Sequence, residues 1–287
     1  MNLYSPKRVA ELLGNFGIHP KKSFGQNFLV DQNIIKKIIA TAELKNHDKV
    51  VEIGPGLGTM TVQMAEVSKK VIAIELDNRL IPILEKNLER YDNTDIIIGD
   101  ALKVDFNNII KNEDEKQLKV VANLPYYITT PLVMKLARER QPIDRMVLMV
   151  QKEVAERFTA IPGSKNYGAI SVILDFYFKA QLAFDVPNNV FYPKPKVSSS
   201  VVNLKKRDEP KIPVQDEQVF INFINKSFSS RRKTFVNNIV SIYEGSKSEL
   251  IEFLAQTNVA KDARAEELST EKFGEIFETI YNNLKVR

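Results

Sequence analysis

Between residues 49 and 150 the chain alternates short β-branched runs with longer stretches in which apolar positions recur at helical spacing. The runs at 50–53, 71–74, 96–98, 120–122 and 146–150 are apolar on both faces, as strands buried in a parallel sheet are. Each ends in a polar or glycine-bearing turn. Helix-like stretches at 59–67, 79–90 and 131–138 separate them. This strand–helix order predicts an α/β fold with a Rossmann-like, doubly wound, mostly parallel sheet. Right-handed connections then place the ligand-binding loops at the carboxyl ends of the strands.

Beyond Gln151 the pattern blurs. The apolar run 169–178 follows Tyr167-Gly168, and periodicity alone assigns it to neither helix nor strand. Two closing strands are expected at 180–186 and 200–204, bracketing the proline-rich loop Phe191-Tyr192-Pro193-Lys194-Pro195-Lys196. A polar stretch at 205–210, with Pro210 and Pro213, marks a domain boundary. Helices are expected at 219–227, 234–242, 248–257 and 270–284. The predicted organisation is a larger domain over 1–208, opening with a basic lead-in over 1–30, and a smaller all-helical domain over 209–287.

Composition narrows the chemistry. The 287 residues are 44% hydrophobic and 27% charged, as in ordinary soluble proteins with room for two cores. There is no cysteine, and His19 and His47 are the only histidines, so no metal site and no histidine-based triad are expected. No apolar run approaches a membrane span, and the N-terminus lacks a secretory core, so a cytoplasmic location and no membrane partner are expected. The net charge of +5 permits a nucleic-acid partner. Lys7, Arg8, Lys21 and Lys22 gather at one end and Arg231, Arg232 and Lys233 in the last third; either cluster alone reads equally well as a solvated face.

The first strand runs into Glu52-Ile53-Gly54-Pro55-Gly56-Leu57-Gly58. Its G-x-G-x-G spacing differs from the G-x-G-x-x-G of dinucleotide sites, which seat a pyrophosphate on a helix N-terminus. S-adenosylmethionine carries no phosphate. It needs close backbone approach, offered by Gly54, Gly56 and Gly58, and an acid near its ammonium group, for which Glu52 is the candidate, directly or through water. Glu75 closes the second strand at the distance expected of a ribose-binding acid, with two oxygens for two hydroxyls. Asp100, just past the third strand, is placed to accept from an adenine amino group. Alone, Glu75 would read as a surface carboxylate and Asp100 as a cap or turn residue. Three acids at successive strand ends share one sheet edge, and the coincidence favours a cofactor site.

Asn123-Leu124-Pro125-Tyr126 ends a strand of the same sheet. In isolation it is an ordinary turn. Beside a methyl donor it supplies what an exocyclic amine requires. The Asn123 side-chain oxygen and the Leu124 or Pro125 carbonyl accept from the two N–H groups, drawing the lone pair out of the ring, while Tyr126 stacks on the base. The leaving group is already a cation, so orientation supplies most of the rate and no strong base is needed. Phe191 or Tyr192 is a second stacking candidate, with Lys194 or Lys196 on a phosphate; core packing of either aromatic is the competing account.

Together these residues resemble the ribosomal RNA adenine N6-dimethyltransferases, enzymes with the class I S-adenosylmethionine methyltransferase fold. The resemblance covers nearly the whole chain. Lys21-Lys22-Ser23-Phe24-Gly25-Gln26-Asn27-Phe28-Leu29 is similar to the family's lead-in, which folds over the cofactor and implies Asn27 and Leu29 as contacts. Gly54, Glu75, Asp100 and Asn123 occupy cofactor positions. The loop from Phe191 to Val197 resembles the base-stacking loop and favours Phe191 over Tyr192. Gln151-Lys152-Glu153-Val154-Ala155-Glu156-Arg157 is similar to a family segment after the fifth strand, and the run 169–178 is expected to be helical. Within the family the lead-in and the stacking loop favour the branch that dimethylates two adjacent adenosines in a hairpin loop near the 3′ end of 16S rRNA. The implied cofactor is S-adenosyl-L-methionine. The implied partner is 16S rRNA within a small ribosomal subunit or its precursor, met by a monomer with a helical domain that contributes to RNA recognition. The antibiotic-resistance methyltransferases of 23S rRNA, which share the turn, and an RNA-binding assembly factor are the alternatives.

Overall fold

The computed structural model describes residues 3–20, 25–109, 118–125, 128–138 and 142–285. Lys21, Lys22 and Tyr126 therefore lie outside the described residues. The chain divides into two compact units, 1–155 with 181–205, and 156–180 with 206–287. The boundary expected at 208 thus falls at 205, and 156–180, expected in the first domain, belongs to the helical unit. Its apolar run is a helix whose buried side chains join the aromatic core of that unit, a partnership that linear order does not reveal.

Among the described residues the first unit carries nine strands: β1 (Phe28–Leu29), β2 (Lys49–Ile53), β3 (Lys70–Glu75), β4 (Thr94–Ile98), β5 (Leu118–Asn123), β6 (Ile143–Gln151), β7 (Phe178–Val186, begun in the second unit), β8 (Phe191–Tyr192) and β9 (Ser199–Lys206, ending in the second unit). Seven form one sheet, ordered β4-β3-β2-β5-β6-β9-β7. The pairs β2–β3, β2–β5, β3–β4 and β5–β6 are parallel, and β9 returns antiparallel to β6. The central strands β2, β3 and β5 are buried on both faces, which their β-branched runs require. β4 departs from expectation. It is an edge strand, only half covered, and Ile98 is 56% exposed, so an apolar run here does not mean two buried faces. β1 and β8 form a separate two-stranded clip, with Phe28 opposite Tyr192 and Leu29 opposite Phe191.

The helices are α1 (Pro6–Asn15), α2 (Gln32–Ala42), α3 (Thr59–Ala65), α4 (Ile81–Leu88), α5 (Thr129–Arg138), α6 (Lys152–Phe158), α7 (Ala169–Tyr177), α8 (Glu217–Ser227), α9 (Phe235–Ile239), α10 (Lys247–Gln256) and α11 (Thr270–Ile280). Asp31 caps α2 by accepting from the Asn33 and Ile34 backbone N–H groups at 2.8 and 3.0 Å. The helix buries Ile35, Ile38 and Ala42 along one stripe. Leu29, Met60, Val121, Met149 and Phe191 belong to the same core cluster, so the clip is anchored in the main core.

In the second unit Phe176, Phe220, Phe223, Phe235, Phe273 and Phe277 pack ring on ring, with centroid separations of 5.0 to 6.4 Å. Asp216, Thr234, Ser246 and Ser269 cap its helices. Asp175 of α7 ties the unit together, accepting from Arg207, Lys211 and Thr270 at 3.1, 2.7 and 2.7 Å.

Candidate active site

The carboxyl ends of β4, β3, β2 and β5 open on a cleft. Along that edge come Asp100, two residues past β4, then Glu75 at the end of β3, Glu52 within β2 and Asn123 at the end of β5. All four line the cleft, together with Asn27, Leu29, Gly54, Gly56, Leu124, Pro125 and Phe191. Gly58 does not. It has φ +81° at the head of α3, and a Cβ there would lie 2.9 Å from Leu84 Cδ1, so its glycine serves the packing of α3 on α4.

The other two glycines form the floor. A Cβ on Gly54 (φ +70°) would make an ordinary contact, 3.8 Å from the Asn123 carbonyl oxygen, whereas one on Gly56 (φ +59°) would press to 3.1 Å from the Phe28 ring. Both need the left-handed conformation that glycine adopts without strain. Glu75 holds this floor in place: Oε2 accepts from the Gly56 N–H at 3.0 Å and Oε1 from the Asp77 N–H at 2.8 Å. Both oxygens expected to be open to ribose hydroxyls already have a backbone donor, and each keeps a further lone pair. Burial pushes the Glu75 carboxyl up, against the lowering effect of its backbone N–H donors.

Glu52 is 1% exposed. Its Oε2 accepts from the Thr61 hydroxyl, while Oε1 has no partner among the described residues. Burial, reinforced by Glu75 and opposed by the Thr61 hydroxyl, raises its carboxyl to about 8. Asp100 Oδ1 accepts from the Leu102 N–H at 2.9 Å, an Asx turn that holds the side chain at the strand end.

Asn123 donates its Nδ2 to the Asn27 carbonyl at 3.0 Å, which leaves Oδ1 as the acceptor it presents. The two candidate carbonyls of the turn are not equivalent. That of Pro125 accepts from the Ile128 N–H and the Thr129 hydroxyl, both at 3.2 Å, at the head of α5. Phe191 is 4% exposed and half of the clip, with its ring embedded in the core and facing the cleft; Tyr192 does not line it. Lys194 and Lys196 are exposed on the loop that follows.

Sequence reasoning missed two supports. Thr61 holds Glu52 from α3, and Gln26 donates to Asp77 at 2.7 Å, joining the lead-in to the loop after β3. Arg79 also grips Asp77, at 2.6 Å, and holds its carboxyl below the usual range. The Thr61 and Gln26 partnerships are side-chain meetings across elements, for which the linear pattern carries no signal. Arg231, Arg232 and Lys233 are exposed, and Arg231 donates one N–H to the Tyr167 carbonyl at 2.7 Å.

Residues 18–282 match the profile of the family described as ribosomal RNA adenine dimethylase. The chain belongs to this family. As a ribosomal RNA adenine dimethylase it is an S-adenosylmethionine-dependent enzyme that methylates adenine in ribosomal RNA. Ribosomal RNA small subunit methyltransferase A of Natranaerobius thermophilus is 52% identical over 300 residues, covering 99% of each chain. The protein of that name from Listeria monocytogenes serovar 1/2a is 42% identical over 290 residues, covering 99% of this chain and 98% of its own. A solved dimethyladenosine transferase from Plasmodium falciparum is 28% identical, with TM-score 0.77, covering 89% of this chain and 98% of its own. The 23S rRNA methyltransferase ErmE, 24% identical with TM-score 0.71 over 89% of this chain and all of its own, shares the fold.

The cleft suits the dimethylase cofactor. Its lining contains four acids (Glu52, Glu75, Asp77 and Asp100) and neither lysine nor arginine among the described residues, as a cationic, phosphate-free molecule requires. The glycine floor admits close approach, and the orphaned Glu52 oxygen offers an acceptor.

Proposed function

We propose that this enzyme dimethylates the N6 amines of two adjacent adenosines in a hairpin loop near the 3′ end of 16S rRNA, within a small ribosomal subunit or its precursor, acting as a cytoplasmic monomer. The names and full-length similarity of the small-subunit relatives support that target over 23S rRNA. The reading is carried by the Asn123 carboxamide, tied through Nδ2 to Asn27 at the end of the acid-lined edge.

When bound, S-adenosylmethionine supplies an electrophilic methyl group on a cationic sulfur. Sheet order supports the residues that would hold it: Asp100 would accept from the adenine amino group, Glu75 from the ribose and Glu52 from the ammonium end, with Gly54, Gly56, Asn27 and Leu29 lining the same cleft. Asn123 Oδ1 and the Leu124 carbonyl accept from the two N–H groups of the target amine. Pro125 is relieved of that part because its carbonyl already has two donors; it shapes the turn. Those hydrogen bonds would favour a tetrahedral nitrogen with its lone pair free for the methyl group the cofactor would supply. Phe191 and Tyr126 stack on the extruded base, and Lys194 and Lys196 meet the flanking backbone. The helical unit and its Arg232 and Lys233 supply further phosphate contacts.

The test is nucleoside mass spectrometry of small-subunit RNA after incubation with labelled cofactor. N6,N6-dimethyladenosine at the paired loop adenosines is expected. Label confined to 23S rRNA, or absent from both, overturns the assignment.

A further inference from the structure

Thr61 sits in α3, four residues after Leu57. A helical threonine ordinarily returns its hydroxyl to the carbonyl four residues back. Here the Leu57 carbonyl accepts from Asn87 Nδ2 at 2.8 Å, and the Thr61 hydroxyl is given to Glu52 Oε2. Thr61 is fully buried and Glu52 is 1% exposed, so neither side chain uses bulk water. A buried carboxyl with one oxygen held and the other unpartnered is costly to a protein that only has to fold. Glu52 nevertheless lines the cleft, between the strand end that carries Glu75 and the one that carries Asn123.

We propose that Thr61 is a positioning residue for cofactor recognition: its hydroxyl occupies Glu52 Oε2, and Oε1 is thereby presented to the ammonium group of the cofactor's amino-acid end, directly or through one water. The inference rests on the placement of that end at Glu52. The charged groups around Glu52 agree with a cationic ligand. Glu75 faces it from β3, Asp77 stands behind Glu75, α3 contributes the uncharged Thr61, and β5 ends in the uncharged Asn123. Removing the hydroxyl frees Oε2 and lets the carboxyl rotate, so the ammonium loses a fixed acceptor while the adenosine end keeps all of its partners.

The test compares two ligands by calorimetry. S-adenosylhomocysteine has the amino-acid end; 5′-methylthioadenosine keeps the nucleoside and lacks it. In Thr61→Val, affinity for S-adenosylhomocysteine should fall on the order of tenfold, as loss of one fixed acceptor for the ligand's ammonium group implies, with 5′-methylthioadenosine held within about twofold. Thr61→Ser, which keeps the hydroxyl, should restore binding. In turnover, Thr61→Val should raise KM for the cofactor and leave kcat within about twofold. Thr61→Ala, which also removes the hydroxyl, makes the same ligand-selective prediction should the valine variant fail to fold. Unchanged affinity for S-adenosylhomocysteine, or equal loss of both ligands, overturns the role of Thr61. A wild-type protein that binds neither ligand removes the cofactor placement itself.

Discussion

Glu52→Gln should stabilise the free protein at neutral pH relative to pH 5, although it weakens the enzyme. The folded-state carboxyl titrates at about 8 against an ordinary 4.5. A carboxyl raised on folding contributes its stability below the unfolded value and loses it as pH climbs toward the folded one. Between those values the native chain holds a proton that the unfolded chain has released. Wild-type stability therefore falls with rising pH by about 1.4 kcal/mol per unit from this group, on the order of 3 kcal/mol between pH 5 and pH 7.5. Glutamine has no such dependence. At pH 5 the variant should lie close to wild type, because the protonated carboxyl and the amide both carry a donor into the space where Oε1 lacks a partner. By pH 7.5 the difference should have moved by about 3 kcal/mol in the variant's favour. Glu75 titrates in the same direction in both proteins and largely cancels in the comparison. Urea titrations followed by circular dichroism across this range, without cofactor, measure the difference. Parallel stability curves for the two proteins would refute the reasoning.

Asn123→Ala should abolish methylation with little loss of cofactor affinity; full turnover in that variant would remove Asn123 as the amine acceptor. Gly54→Ala and Gly58→Ala should separate site from scaffold. Both force alanine to positive φ and should cost about 1 kcal/mol or more in thermal unfolding, but only Gly54→Ala should weaken cofactor binding, since Gly54 lies on the cleft floor and Gly58 against Leu84. Neutralising Arg232 and Lys233 should lower RNA affinity and reduce the salt slope by about 0.7–0.9 for each phosphate that is no longer neutralised. An unchanged slope in filter-binding titrations would turn that surface away from RNA.

The parallel core was legible because its strands are buried on both faces and β-branched, and the acids at their ends follow once the sheet is wound. Edge position was not: 96–98 reads as apolar as 71–74, yet β4 has a neighbour on one side only. The helix at 6–15 is not legible either, its buried positions Val9, Leu12 and Leu13 being too few to announce it among basic and small residues. The affiliation of 156–180 depends on aromatic partners from far along the chain, Phe220 among them. At the site, residue types and spacing named Glu52, Glu75, Asp100 and Asn123. They left Leu124 and Pro125 as equals, because only the start of α5 shows that the Pro125 carbonyl is already engaged. Thr61 was invisible for the same reason: a hydroxyl nine residues from a carboxylate becomes its partner only when strand, turn and helix have been built.

Phe28 and Leu29 find their strand partners only at Tyr192 and Phe191. During synthesis the glycine floor, Glu75, Asp100 and the Asn123 turn all emerge well before that partner does. A nascent chain thus has the bottom of the pocket long before its far wall, and closing so large a loop is slow compared with forming the local helices. Fragments ending before residue 190 lack this partner and should fail to retain ligand. The methyltransferase comes of age late in its own translation, when the second half of a two-residue strand pair arrives to meet the first.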